Sequence, residues 1–224
     1  LERIARASWR QPARRVRRIA NGIPLARYAE PAVADALPGL TKAPGEVVIG
    51  TIAGLRAVKA IERLIDAVGM LPPHVRLVIV GEGPEREAII RAAKECGVGD
   101  RLLLPGFLPD PARYVGLFDI FALSSDSEQF PISLIEAMAA GLSVVSTDVG
   151  DVAAMVAAPS RPSIVQPGDE DAIAAAIRRL ADDADLRQAV GAANAARART
   201  DYDETAMIDA YRSLYWGAAR KPLR

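Results

Sequence analysis

Two glutamates, Glu128 and Glu136, stand eight positions apart where a loop turns into a helix. The segment reads Ser124-Ser125-Asp126-Ser127-Glu128-Gln129-Phe130-Pro131-Ile132-Ser133-Leu134-Ile135-Glu136-Ala137-Met138-Ala139-Ala140-Gly141. It follows an apolar run and continues into a helical pattern, so Glu128 falls in the loop and Glu136 in the first two turns. Between them lies a helix N-terminus, whose first backbone N–H groups lack intrahelical partners and favour phosphate. A carboxylate on each side of such a site suits neutral hydroxyls, as on a sugar and a ribose, better than it suits an anion alone. Glutamate pairs at this spacing are common, so the pair acquires meaning only from what surrounds it.

The elements that must position these residues alternate regularly from residue 47 onward. Val47-Val48-Ile49-Gly50-Thr51-Ile52 reads as a buried strand, and Ile61, Leu64, Ile65 and Val68 follow at helical spacing. Further strands are expected at 77–80, 101–104, 119–123 and 143–146, with a weaker one at 162–165. Helices are expected from Pro84 to about Cys96, over 131–140, briefly after Asp151, and over 169–181, 184–198 and 203–217, with a short one at 111–117. Strands rich in Val, Ile and Leu on both faces, separated by helices, predict a parallel sheet covered on both sides. The expected fold class is α/β, a doubly wound, Rossmann-like sheet. Ligands of such sheets bind beyond the carboxyl ends of the strands, so the loops of interest are 53–59, 81–84, 105–110, 124–131 and 147–151. Residues 1–40 break the rhythm with Pro12, Pro24, Pro31, Pro38 and the turn signal Asn21-Gly22. They read as a crossing segment and the remnant of a preceding domain.

Composition narrows the chemistry. The 224 residues carry 28 basic and 28 acidic side chains, and a net charge of zero argues against a protein that works by a strong field on nucleic acid. The single cysteine, Cys96, and the single histidine, His74, exclude a disulfide framework and a His–Cys zinc cluster. His74 reads as a surface loop residue, Cys96 as buried filler, and Tyr215 and Trp216 as packing for the last helix. No apolar run of membrane-spanning length and no secretory apolar region is present, so a soluble, reducing, cytoplasmic setting is expected. The absence of an initiating Met suggests a piece of a longer chain. Charge is uneven: Arg3, Arg6, Arg10, Arg14, Arg15, Arg17 and Arg18 against Glu2 give residues 1–20 a net +6. A solvated segment explains this; so does peripheral contact with an anionic surface such as the inner membrane face.

The segment from Ser124 to Gly141 resembles the signature of the retaining GT-B glycosyltransferases known as group 1. That signature is a Ser-rich strand end, a Glu, an aromatic residue, then a second Glu followed by Ala-Met-Ala-x-Gly. Ser143-Val144-Val145-Ser146-Thr147-Asp148-Val149-Gly150 is similar to the family's fifth strand and its loop. Gly50 to Lys59 resembles its first strand and phosphate loop, Val80-Gly81-Glu82-Gly83-Pro84 its second strand end, and Gly106-Phe107-Leu108 its nucleobase loop. Ile19-Ala20-Asn21-Gly22-Ile23 resembles the stretch leaving the N-terminal domain. By contrast, Gly81-x-Gly83 is not the dinucleotide fingerprint, because Arg86 occupies the third glycine position.

The resemblance implies the C-terminal, donor-binding half of a GT-B fold. It divides the chain into 1–40, a nucleotide-sugar domain over 41–202, and a crossing helix over 203–224. Glu128 matches the carboxylate facing the donor sugar, the catalytic candidate, and Glu136 the one accepting from ribose hydroxyls. Lys59 matches the diphosphate lysine. Gly54 stands where the partner arginine is usual, with Arg56 as its substitute. Gly83, Phe107, Leu108 and the backbone around Phe130 and Ile132 complete the donor site, although Pro131 replaces a common glycine and removes one N–H. The implied activity is retaining transfer from a nucleoside-diphosphate sugar to an acceptor hydroxyl, with no metal and no cofactor. The acceptor site would lie on a missing N-terminal domain, so the fragment alone is expected to be inactive. A non-catalytic diphosphate-binding module and a GT-B epimerase or phosphorylase are the alternatives.

Overall fold

Six apolar runs pair into a single parallel sheet in a computed structural model of the protein, which describes residues 2–219. The strands are β1 (Val47–Ile52), β2 (Val75–Val80), β3 (Leu102–Gly106), β4 (Ile120–Leu123), β5 (Ser143–Thr147) and β6 (Ile164–Val165). They lie in the order β3-β2-β1-β4-β5-β6, and every pairing is parallel. The direction of winding therefore reverses between β1 and β4, which are bonded to each other in mid-sheet. The expected doubly wound α/β class is the one observed.

β2 starts earlier than its apolar run, because Arg76 interrupts the hydrophobic pattern without leaving the strand. Its guanidinium pairs with Glu46 (3.2 Å) while Val75 and Leu77 are buried. β6 is shorter than expected. Ala158–Ser163 winds as a 3-10 stretch that includes Pro162, a residue with no N–H to offer a ladder. The expected short helix at 111–117 is two 3-10 turns, Pro111–Arg113 and Val115–Leu117.

The helices are α1 (Glu2–Ala7), α2 (Ile61–Gly69), α3 (Arg86–Glu95), α4 (Ile132–Ala139), α5 (Val152–Met155), α6 (Glu170–Asp182), α7 (Ala184–Asp201) and α8 (Glu204–Ala219). Asp169 and Asp183 cap α6 and α7, each accepting from a main-chain N–H three residues on at 2.8 Å. Strand residues alternate between two cores. Ile49, Leu77, Ile79 and Ile120 face α2, α3 and α6, where Leu64, Ile65, Ile89 and Ile177 pack. Val48, Val78, Phe121 and Val144 face the other way, against Leu134, Ile135 and Met138 of α4 and Met155 of α5. Each fully buried aliphatic side chain contributes about 1.5–3 kcal/mol, so both layers are needed to hold the sheet.

The segment before β1 joins this packing. Ile23 and Leu37 are buried in the second core, and Ile23 bridges to Asp203 at the start of α8. Its N–H donates to the Tyr202 carbonyl (2.9 Å) and its carbonyl accepts from Glu204 (3.1 Å). The arginine-rich stretch holds α1, a helix that the sequence analysis did not anticipate. α8 departs from expectation at its far end: Tyr215 and Trp216 are each 68% exposed and pack no helix against the domain. Residues 220–224 of the expected element 203–224, and Leu1 of 1–40, lie outside the described residues. Among those described, no helix is long and apolar enough to cross a membrane.

Candidate functional site

The reversal of winding between β1 and β4 opens a crevice beyond their carboxyl ends, the place where such sheets take ligands. The loop after β1 carries Arg56 and Lys59; the loop after β4 carries Glu128. The two loops are stitched together. Asp126 N–H donates to the Val58 carbonyl (2.9 Å), and Ser124 Oγ donates to the Lys59 carbonyl (3.0 Å). Lys59 closes a 3-10 turn, and Ala60 beyond it adopts φ 45°, ψ 44°, a left-handed conformation costly for a residue with a Cβ.

Lys59 Nζ donates to Glu128 Oε1 at 2.6 Å. The same oxygen accepts from Ser125 Oγ at 2.8 Å, and the Ser125 carbonyl accepts from Thr147 Oγ1 at 2.6 Å. Glu128 is therefore held from β4 and β5 at once, and its side chain is only 10% exposed. Sequence reasoning missed Ser125 and Thr147 as supports, although both lie in the segments it singled out. Gly150 follows in the loop after β5 with φ 59°, and a Cβ there would strike the Glu128 carbonyl. Only glycine lets that loop close on the site.

α4 begins after Pro131, and no side chain caps its first turn. Its first N–H groups thus remain available beside Glu128. Glu136 lies one turn further along and is half-buried. Its Oε1 accepts from Tyr28 Oη at 2.9 Å. Burial pushes the Glu136 carboxyl above its usual range, and the Tyr28 hydrogen bond opposes that shift. The Tyr28 phenol is raised in turn, first by burial and then by the Glu136 charge. Tyr114, whose Oη donates to the Leu108 carbonyl (3.3 Å), is raised by the same two causes. Nothing in the sequence pattern pointed to Tyr28.

The remaining candidates divide between open and packed. Phe107 is 71% exposed, Ile132 is also exposed, and Arg56 lies exposed on extended backbone. Leu108 and Phe130 are partly buried in the second core, where Phe130 meets Tyr202 edge-on with ring centres 5.7 Å apart. Gly83 lets the loops after β1 and β2 touch: a Cβ there would strike the Leu55 carbonyl, and Leu55 N–H donates to Glu82 (2.9 Å). A cleft of about 1190 Å³ extends from Glu128, Gln129 and Phe130 past Gly150 and Asp151 to Arg18–Asn21 and α1. Arg18 crosses it to Asp151 at 2.9 Å. His74 is exposed, as expected. Cys96 is only half-buried; its Sγ donates to Asp66 (3.1 Å), which pushes the thiol up to about 11. Among the described residues, no three His, Cys, Asp or Glu side chains gather in a metal-binding cluster.

The family model for glycosyl transferases group 1 matches residues 36–197, most of the chain and all of the strands. The chain belongs to this family. A lipopolysaccharide core biosynthesis glycosyltransferase of Rhizobium meliloti is 30% identical over 161 residues, covering 72% of this chain and 44% of that one. The Anabaena protein HepE, crystallised with UDP, superimposes with a TM-score of 0.84 at 21% identity, over 94% of this chain and 60% of that chain. The crystallised C-terminal domain of a group 1 family protein from Francisella tularensis superimposes with a TM-score of 0.69 at 22% identity, over 81% of this chain and 99% of that one. This family member spans about half the length of the curated relatives it matches. Its matched region begins after Tyr28, so the hydroxyl on Glu136 comes from outside it.

Proposed function

We propose that the chain is the donor-binding half of a retaining glycosyltransferase, an enzyme that moves a sugar from a nucleoside-diphosphate sugar to an acceptor hydroxyl. The observation that carries this reading is the meeting of Lys59 and Glu128 at the reversal of winding, beside an uncapped helix N-terminus. The lysine and the α4 N–H groups offer positive charge to a diphosphate, with Arg56 exposed nearby to add to it. Glu128 faces the sugar and favours the positive character that develops at its anomeric carbon as the bond to the diphosphate breaks. Glu136 accepts from the ribose hydroxyls, and Phe107 offers an exposed ring to the base. Gly83, Leu108, Phe130 and Ile132 shape the floor and wall. Because the counter-charge to the diphosphate comes from side chains and backbone, transfer is expected to need no divalent metal and no cofactor.

The acceptor site is assigned to an N-terminal domain that residues 1–40 connect to this one, with α8 crossing back toward it. The division into 1–40, 41–202 and 203–224 follows from that arrangement. A cytoplasmic setting follows from the single unpaired cysteine and the substrate class. The arginine-rich segment, with Trp9 63% exposed, supports peripheral contact with anionic headgroups at the inner membrane face.

Calorimetric titration of the chain with UDP and with GDP tests the donor site. Binding of at least one nucleotide, weakened about tenfold or more by Lys59→Ala, is expected. Absence of binding to either would refute the reading. Sugar transfer is expected only when the complementing half is supplied, and robust transfer by this chain alone would overturn the division of labour.

A further inference from the structure

We infer that Tyr28 is a positioning residue for Glu136, holding its carboxylate in place on the nucleoside side of the crevice before any ligand arrives. The inference rests on the donor-domain reading for what Glu136 binds, but not for what Tyr28 does. Tyr28 ends the 3-10 turn Leu25–Tyr28, which comes before the sheet and outside the matched family region. That turn is pinned by its neighbouring residue: Arg27 pairs with Asp110 at 2.7 Å, on the loop beyond β3 that also carries Phe107. Two adjacent side chains of the crossing segment therefore reach the two loci expected to hold the base and the ribose.

The ring of Tyr28 packs at the edge of the second core, a task phenylalanine would perform equally well. Only the hydroxyl reaches Glu136, at 2.9 Å. It satisfies Oε1, and among the described residues no side chain donates to Oε2. An ionised carboxylate accepts hydrogen bonds and donates none, so it suits a ligand that brings only hydroxyl donors, such as a ribose diol. Burial works against that ionised form, and the phenol works for it. Glu136 acts electrostatically on Tyr28 and on Tyr114, while Arg27 on the crossing turn and Asp110 after β3 act on Tyr28. Of these, Tyr28 makes the hydrogen bond.

Tyr28→Phe removes the hydroxyl and keeps the ring. Two readouts are followed on the intact chain: the titration of the Glu136 side-chain carboxyl by carbon NMR without nucleotide, and the affinities for UDP and GDP. Each is measured in wild type and Y28F, and the affinities also in E136Q and the double variant. Y28F is expected to raise the Glu136 midpoint and to weaken the bound nucleotide about three- to tenfold, with no further loss in the E136Q background. An unchanged midpoint overturns the inference, as does an equal loss in the E136Q background, which would mean that the hydroxyl acts through packing. If wild type binds neither nucleotide, the donor-domain reading fails, while the carboxyl titration still decides the role of Tyr28. If wild type binds, E136Q weakens binding and Y28F does not, the reading stands and the inference falls.

Discussion

Lys59 Nζ lies 2.6 Å from Glu128 Oε1, joining the loop after β1 to the loop after β4 where the sheet reverses its winding. Both partners are largely buried, so neither is idle on the surface. Each satisfies the other. On the proposed donor-binding reading, a diphosphate entering the crevice would compete with Glu128 for the lysine, and that exchange would free the glutamate toward the sugar.

Separating the two roles is therefore straightforward. Lys59→Ala should weaken UDP or GDP binding about tenfold to a hundredfold, since a charge-assisted hydrogen bond is worth about 1.5–3 kcal/mol. Glu128→Gln keeps the size and the Ser125 contact but weakens the competing ion pair, so nucleotide affinity should stay unchanged or rise, while transfer in the presence of the proposed complementing half should be abolished. Paired calorimetry and transfer assays measure both. Equal losses of affinity in the two variants would contradict the assignment.

Glu136 makes a pH prediction. Its folded carboxyl titrates above the unfolded value because of burial. The folded state then holds its proton more tightly, so the stabilisation is fully present below the unfolded pKa and is lost as pH rises through the folded one. Glu136→Gln removes this dependence. Its melting temperature should exceed that of wild type near neutrality, with the advantage shrinking as pH falls through the window between the two values. Thermal melts across pH measure it, and an advantage that grows toward acid would reverse the sign and defeat the argument.

Phe107 spends most of its surface in solvent on the loop after β3. Truncating it costs the fold almost nothing, so Phe107→Ala should leave the melting temperature nearly unchanged. Nucleotide affinity should drop about five- to hundredfold, the range that stacking of a base on an aromatic ring supplies. Intact affinity in this variant would remove Phe107 from the site.

Asn194 tests the scaffold rather than the site. It is fully buried on α7 and accepts from Ala157 N–H (3.1 Å) and Ser160 Oγ (2.9 Å), while its Nδ2 donates to the Leu142 carbonyl (3.0 Å). Asn194→Ala strands three buried polar groups and should destabilise the domain by roughly 2–4 kcal/mol. Urea denaturation reports it; a loss below about 1 kcal/mol would show that water replaces the amide.

Local pattern made much of this protein legible from its residues in order. Val47–Ile52 is apolar on both faces, as is the adjacent pair Val144 and Val145, which only a sheet covered on both sides can bury, and the helical spacing between the two runs demands crossovers. Glu128, Pro131 and Glu136 declared a loop-to-helix junction because helix signals act within a few residues. Tyr28 did not declare itself. It lies 108 residues from Glu136, and no periodicity links a hydroxyl on a proline-rich stretch to a carboxylate on a distant helix. The same holds for Arg18 with Asp151 and for Asn194 with Leu142, pairs that exist because packing brings separate segments within hydrogen-bond reach. Backbone periodicity and turn chemistry are short-range, so sequence decided the elements and their order; side-chain pairing across the crevice depends on distances set by the whole sheet, so tertiary structure decided that Lys59 meets Glu128 and that Tyr28 meets Glu136.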